Sequence, residues 1–409
     1  MVPTISIFPL SEKRATRLKN SNHAHRDYFI HNIKLKMVLR YGQIVLPKGE
    51  LCLSNVLQTG QAFRWVLNES EDRYATSMKV GNDNKYSIVV LRQPEDHILE
   101  FASLNESCEI TKLKDHLIKY FRLDIPLQEL HYSDWQKRDS RFEEITPHGM
   151  RMLGQEPWET LVSFICSSNN NISRITKMCS NLCVHYGNKI GTMDSLDFYS
   201  FPTSDELVKR ASETQLREIG FGYRAKFIIE TAKKMAQDKR DAGFESDTGF
   251  LEDLNSKLTY EQMREHLMSY QGIGPKVADC VCLMGLRMDQ VVPVDVHVGR
   301  IAKRDYKFQT KKEQLKNLAE RYKDLPITRK KINLELDAIR LMFLELWGPR
   351  AGWAQGILFT NEVGKTSGAT STGEIKKRKL IKLEETEKKQ DGIQENSEKR
   401  MVEIKATSS

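Results

Sequence analysis

No run of apolar residues in the sequence approaches the roughly 18 to 20 that a membrane span requires, and no secretory signal is visible. Cysteine is sparse, with seven in 409 residues: Cys52, Cys108, Cys166, Cys179, Cys183, Cys280 and Cys282. An odd number without a dense framework argues against a disulfide-stapled scaffold and favours reduced thiols in an intracellular protein. No Cys/His set has zinc-ligand spacing, and Cys179 and Cys183 lie one helical turn apart without partners. No catalytic metal and no cofactor are therefore expected. Excess charge is also missing from the middle of the chain. The net charge is +8, but residues 1–36 hold seven Lys/Arg against two acids and residues 365–409 hold eleven against eight, which leaves 37–364 neutral. A face for a polyanion must then come from the arrangement of charges, not from their surplus.

A chain of this length implies two or three domains at about 150 residues each. Residues 1–36 are basic with little apolar periodicity, which fits a mitochondrial transit segment or a plain tail, and Met37 could be an alternative start. From 37 to 145 the pattern is strand-like. Tyr74, Thr76, Met78 and Val80 alternate with smaller or polar residues, "GNDN" (81–84) supplies a turn, and the β-branched stretch "KYSIVVLRQ" follows. This predicts an antiparallel sheet. From 146 to 362 the period is helical: Ile172, Ile175, Cys179 and Leu182 fall on one face, preceded by "SSNNN" (167–171) as capping residues. Residues 363–409 read as a polar, charged tail whose "KKRK" (376–379) fits a nuclear-import signal.

The stretch "QGIGPKVADC" (271–280) raises a chemical question. A probable helix (261–270) leads into a two-glycine turn, then Pro275 opens a second helix, "PKVADCVCLMGL". Gly272 and Gly274, lacking Cβ, let backbone approach a phosphate at a helix N-terminus, which makes a sequence-independent clamp on DNA. Lys276 stands in that helix's first turn. One reading is a lysine lying over apolar surface with its head in water. The other is a nucleophile whose pKa is depressed by burial and the helix dipole, as Schiff-base chemistry requires. Cys280, four residues on, shares its face and is a pocket thiol or a small core residue. Asp295, in "VVPVDVHVGRIAKRDY", is a helix N-cap that could also stabilise developing positive charge. His297, Arg300 and Arg304 follow on that helix, facing phosphates or solvent.

These residues resemble the helix–hairpin–helix signature and the Pro/Gly-containing loop ending in Asp of base-excision DNA glycosylases, most closely the eukaryotic 8-oxoguanine DNA glycosylase/lyases. "GQAFRW" (60–65), "EPWETLVSFICSSNNNISRITKM" (156–178), "GFGYRAK" (220–226) and "WGPRAGWAQGILF" (347–359) are similar to that family's segments in the same order. The resemblance covers about residues 40–362. No cysteine follows Cys282, so the iron–sulfur cluster of endonuclease III-like relatives is absent. Gln271 and Pro275 depart from the pattern of some relatives, without removing a donor the clamp needs.

The resemblance implies an α+β fold, an antiparallel sheet packed on a helical glycosylase body with the lesion pocket at their junction. It implies excision of 8-oxoguanine, and of ring-opened purines, opposite cytosine by a monomer acting on double-stranded DNA. Lys276 would attack C1′ of the sugar, and the imine would permit β-elimination, with Asp295 stabilising the charge. Gly60 would accept the N7–H that only the oxidised base carries. Gln355 would read the Watson–Crick edge, Phe359 and Cys280 would sandwich the base, and Pro293 would line the pocket. Asn169 would fill the gap in the duplex beside the wedge Tyr223, Arg174 and Arg224 would read the orphaned cytosine, and Gly272, Gly274 and His297 would contact phosphates. A cation held by hairpin carbonyls beside the phosphate is compatible with this scheme. Two alternatives stay open at this point: a lyase for oxidised pyrimidines and a non-catalytic DNA-binding module. The nucleus, with the mitochondrion as a second site, is the expected compartment.

Overall fold

Strand β3 (Arg73–Val80) turns through Gly81 and returns as β4 (Lys85–Glu95), paired from Tyr74 with Leu91 to Val80 with Lys85. This is the hairpin that the alternation at 74–80 predicts. The computed structural model describes residues 39–81, 85–105 and 108–367. Residues 1–36 and Met37, three of the four residues of the "GNDN" turn, and "KKRK" lie outside them. With β1 (Gly42–Val45), β2 (Val66–Asn68) and β5 (Ile98–Ser103), the hairpin forms an antiparallel sheet in the order β1-β5-β4-β3-β2.

The one-sided alternation does not survive in the central strands. Tyr74 and Ala75, on opposite faces of β3, are both buried, as are Ile88 to Leu91 of β4. Helix α1 (Ile110–Phe121) packs on β1, β3 and β5, while a second ribbon, β6 (Lys189–Met193) with β7 (Leu196–Tyr199), packs on β4 and β3. A strand covered on both sides gains from apolar residues at every position. The β6–β7 ribbon, inside the segment read as mainly helical, was not foreseen.

The body is built around α2 (Pro157–Ser167), which is apolar almost all round and, apart from Glu159, buried from Pro157 to Cys166. Next come α3 (Ile172–Tyr186), capped by the Asn171 side chain on Arg174 N, and α4 (Arg224–Asp241). The face expected of α3 is buried at Ile175, Cys179 and Leu182, but Ile172 is 42% exposed. Its place in the first turn puts it at the rim beside Gly60. Then follow α5 (Tyr260–Met268), α6 (Pro275–Cys280), α7 (Val296–Asp305), α8 (Pro326–Lys331), α9 (Leu334–Trp347) and α10 (Ala351–Ser367). The last helix runs five residues beyond 362, into the stretch read as tail. The helix expected over 275–286 changes pitch after Cys280 into a π turn, Val281–Gly285, closed by Leu286 N on Val281 O. There Gly285 lies against Pro157 at the start of α2. One continuous apolar core, from Ile44 to Leu358, joins sheet and body.

Candidate active site

The hairpin between α5 and α6 is built by its neighbours. The Thr259 side chain caps α5, and the Gln271 carbonyl accepts from Thr231 Oγ1 of α4 at 3.0 Å. Gly272 has φ +80°, and a Cβ there would meet the Phe227 ring at 2.5 Å, so its glycine is required by the protein's own packing. Gly274 differs. It caps α6 with ordinary extended backbone, and a Cβ there would meet no atom within 4 Å. Of the two glycines, only the first is required by the atoms around it.

Pro275 takes the first turn of α6, and Lys276 follows, half-buried, with Nζ 5.4 Å from the centre of the Phe164 ring of α2. Its amine feels the Cys280 side chain, one turn along the same helix, and the Asp295 carboxylate. Cys280 and Asp295 together raise the Lys276 pKa above the usual lysine range, although burial pulls the other way. The expected depression is therefore corrected: the desolvation it relied on is outweighed by negative partners, and the resting side chain is an ammonium ion. Burial raises the pKa of Cys280, the ammonium opposing it.

Asp295 is the N-cap of α7. Its Oδ1 accepts from His297 N at 2.9 Å and Val298 N at 3.0 Å. Both capping bonds use one oxygen, which leaves Oδ2 for the lysine side. Beneath them lies a buried ion cluster. Asp279 of α6 accepts from Tyr260 at 2.7 Å and from Arg264 of α5, while Arg264 also donates to Asp337 of α9 at 2.8 Å. Arg340 donates to the same Asp337 at 2.9 Å, and the Tyr322 hydroxyl donates to it at 2.5 Å. The two arginines hold Asp337 down at about 2 despite its burial. The nucleophile's helix is thus pinned at Asp279, one turn from Lys276. A cavity of about 170 Å³ is lined by Lys276, Pro275, Val294, Asp279 and Lys331, among others.

The residues read as base-binding lie on separate elements. Gly60 has φ +90° and lies 3.3 Å, measured from a notional Cβ, from the Ile172 side chain. Its neighbours Thr59 and Gln61 reach Met150, and Gln61 donates to Arg151 O at 3.1 Å. Met152 packs on Gly356 of α10, beside Gln355, with Phe359 one turn further on; both are half-buried. Pro293 is buried in the loop leading to Asp295, which is tied to α10 by Gly352 N on Asp289 O at 2.9 Å. A cavity of about 480 Å³ between sheet and body is lined by Arg64, Tyr86, Glu156 and Ser246, among others, but by none of the predicted base-binding residues. The cavity at that junction is therefore separate from the Lys276 site.

The third group is a surface loop. Asn169 is exposed with φ +49°, a left-handed conformation that asparagine tolerates better than most residues. Asn170 donates to Cys166 O at 2.9 Å, and Asn171 caps α3. Tyr223, 48% exposed, donates to Ser168 O at 3.2 Å. Arg174 is exposed, 3.5 Å from Gly220 O. Arg224 is only 2% exposed, stacks 4.4 Å over the Tyr223 ring and donates to Ser168 O and Asn169 O. In this state it holds the loop from behind. His297 is exposed at the start of α7, its Nδ1 3.3 Å from Arg300.

Residues 43–161 match the family described as 8-oxoguanine DNA glycosylase, N-terminal domain, and residues 162–324 match the HhH-GPD superfamily of base excision DNA repair proteins. The chain is 57% identical over 352 residues to the N-glycosylase/DNA lyase of Saccharomyces cerevisiae, covering 86% of this chain and 94% of that protein. The chain belongs to the 8-oxoguanine DNA glycosylase/lyase family. Arabidopsis thaliana N-glycosylase/DNA lyase OGG1 is 34% identical, covering 78% of this chain and 79% of its own. Among solved structures, MBOgg1 in complex with a low-affinity DNA ligand superposes with a TM-score of 0.61 at 27% identity, over 80% of this chain and all of that one. Clostridium acetobutylicum 8-oxoguanine glycosylase/lyase, in complex with double-stranded DNA containing cytosine opposite 8-oxoG, gives 0.59 at 25% identity, over 78% of this chain and 93% of its own.

Within this 8-oxoguanine glycosylase/lyase fold, sequence reasoning missed three groups that the structure adds to the site. Phe164 lies over the amine, Asp279 anchors its helix, and Lys331 shares its cavity. Asp279 carried a legible signal, a carboxylate on the buried side of an apolar helix. Phe164 and Lys331 lie more than 50 residues from Lys276 on separate helices, and no local pattern links them to it.

Proposed function

We propose that this member of the family excises 8-oxoguanine, and ring-opened purines with it, where the lesion stands opposite cytosine, and then nicks the strand at the abasic site. The family activity is that of a DNA N-glycosylase with an associated lyase; the residue roles and the opposite-base preference are our reading. The observation that carries it is the half-buried Lys276 amine set between Phe164, Cys280 and the Asp295 carboxylate at the mouth of the hairpin's second helix. A simple DNA clamp has no use for that arrangement.

A base inside a duplex is out of reach, so the nucleotide is first turned out of the stack. Lys276, an ammonium ion at rest, must lose a proton before its lone pair can attack C1′. As the C1′–N9 bond breaks, its electron pair leaves with the base, which takes up a proton. Opening of the sugar ring then gives an imine on Nζ. Loss of a C2′ proton breaks the C3′–O bond and releases the 3′ phosphate. Asp295 Oδ2 stabilises the positive charge that develops on the sugar and the imine. The Gly60 carbonyl accepts the extra N7–H, and a guanine lacking that proton leaves a buried acceptor unpaired, a penalty of about 1–3 kcal/mol. Gln355 faces the base edge, and Phe359, Cys280 and Pro293 form the walls.

On the other strand Asn169 enters the vacated space beside Tyr223, and Arg174 and Arg224 donate to the widowed cytosine. Arg224 exchanges its loop carbonyls for the base as the loop moves. Gly272, Gly274 and His297 meet the phosphates. The preference for cytosine has a chemical logic, since excision opposite adenine would fix a mutation. The enzyme acts as a monomer, and the basic "KKRK" cluster directs it to the nucleus, with a mitochondrial share through the basic N-terminal segment.

Borohydride trapping with duplexes carrying 8-oxoguanine opposite each of the four bases tests this reading. A covalent adduct strongest opposite cytosine, and absent in Lys276→Gln while duplex binding persists, is expected. An adduct surviving in Lys276→Gln, or formed only on oxidised pyrimidines, would overturn it. Because the amine is held protonated, trapping should quicken about tenfold per pH unit through neutrality and level off only above the ordinary lysine range.

A further inference from the structure

The hairpin holds a second amine whose place the mechanism above does not use. Lys331, the last residue of α8, reaches back to α5 and the hairpin. Its Nζ donates to Met268 O at 2.6 Å and to Ile273 O at 3.2 Å. Met268 ends α5, where carbonyls carry the negative end of the helix dipole, and Ile273 sits between the two hairpin glycines. The other end of α8 is fixed by the same helix: Glu265 of α5 accepts from Ile327 N at 2.9 Å and Thr328 N at 2.7 Å. Thus α5 caps the start of α8 and receives the ammonium at its end.

No carboxylate forms an ion pair with Lys331 among the described residues, and the residue is exposed overall, so an anion from solvent can reach it. Burial of its amine lowers the pKa, with Glu265 opposing. Lys331 also lines the cavity of Lys276 and Pro275.

We propose that the Lys331 ammonium is a cation built into the hairpin: it satisfies the converging carbonyls of Met268 and Ile273, presents positive charge to a DNA phosphate, and positions the turn that carries Lys276. It does the work that a free metal ion would do at such carbonyls, and this chain therefore has no need of one there. Lys331 is a positioning residue, since it acts on the sugar only through the hairpin. The inference rests on the hairpin facing the DNA backbone.

The test uses the full chain and a duplex with 8-oxoguanine opposite cytosine. Duplex affinity and single-turnover borohydride trapping are measured at fixed ionic strength, with potassium replaced by tetramethylammonium, an ion too large for the carbonyls. Wild type should be indifferent to the exchange. Lys331→Met should trap about tenfold more slowly in tetramethylammonium and recover in potassium, as the vacated carbonyls take the metal ion. Its salt dependence of binding should fall by about one phosphate contact. Lys331→Arg, which keeps the charge, should keep the salt dependence. Three results would overturn the proposal: wild type responding to the exchange, Lys331→Met showing a lower melting temperature but no cation response, or an unchanged salt slope in Lys331→Met. Should Lys331→Met not fold, the wild-type exchange and the Lys331→Arg slope still decide. Wild type failing to trap on any lesion would instead count against the family mechanism, and it is read separately in the same assay.

Discussion

The two arms of the site are built on opposite principles. On the Lys276 side, Asp279, Arg264, Asp337 and Arg340 are each at most 3% exposed and bind one another, which ties α5, α6 and α9 together. On the duplex-facing side, Asn169 stands exposed in a left-handed conformation on a loop held by three donor contacts to the Ser168 and Asn169 carbonyls, from Tyr223 and Arg224. The difference follows from the tasks. An amine that must meet one carbon needs its helix fixed before the substrate arrives. A loop that enters a duplex must yield, and the same arginine that braces it can then serve the partner strand.

The comparison can be broken most forcefully at the ion cluster. Asp337→Ala leaves two buried guanidinium groups short of a partner and should destabilise the fold by about 3–5 kcal/mol, read by denaturant titration. An effect below about 1 kcal/mol would show that the nucleophile's arm is no more rigid than the loop. Asp295→Asn keeps the cap of α7 but removes the charge beside Lys276. It should slow excision by about 100-fold with little change in melting temperature, and it should move the rising pH limb to lower pH, because one cause of the raised lysine pKa is gone. Glu156 offers a control away from both arms. Burial at the start of α2 raises its carboxyl to about 7, the Glu159 N–H opposing. The folded state therefore binds the extra proton, and its stabilising effect is present at low pH and lost as pH rises from the ordinary carboxyl range through about 7. Glu156→Gln should remove that slope and stabilise the protein above neutrality by about 2 kcal/mol, the figure allowing for solvent at a half-buried group. The smallest effect is expected at the loop. Asn169→Ala should cost at most about 1 kcal/mol of stability, yet weaken binding to the lesion opposite cytosine, as measured by competition against undamaged duplex.

Much of this was legible in the chain. The β3–β4 hairpin followed from residues 74–80, the cap at Asn171 from "SSNNN", and the nucleophile's helix from Pro275 after two glycines. What sequence reasoning read wrongly has a common cause. The lysine's pKa was reasoned from its own helix, whereas a carboxylate from the next helix and a thiol one turn along set its direction. The alternation in β3 gave the hairpin but not its second cover, a ribbon from residues 189–199 that packs on β3 and β4. Gly272 and Gly274 were treated as equivalent, and only the Phe227 ring of another helix distinguishes them.

The chain by itself determined the hairpin, the helix starts and the candidate residues they carry, because turn geometry, helix starts and apolar period are local properties written over a few neighbouring positions. The charge on Lys276, the anchoring of Asp279 and the approach of Lys331 to the hairpin were decided by folding alone. Each depends on groups from different helices meeting where water is scarce, and both the dielectric and the partner there are products of the assembled structure.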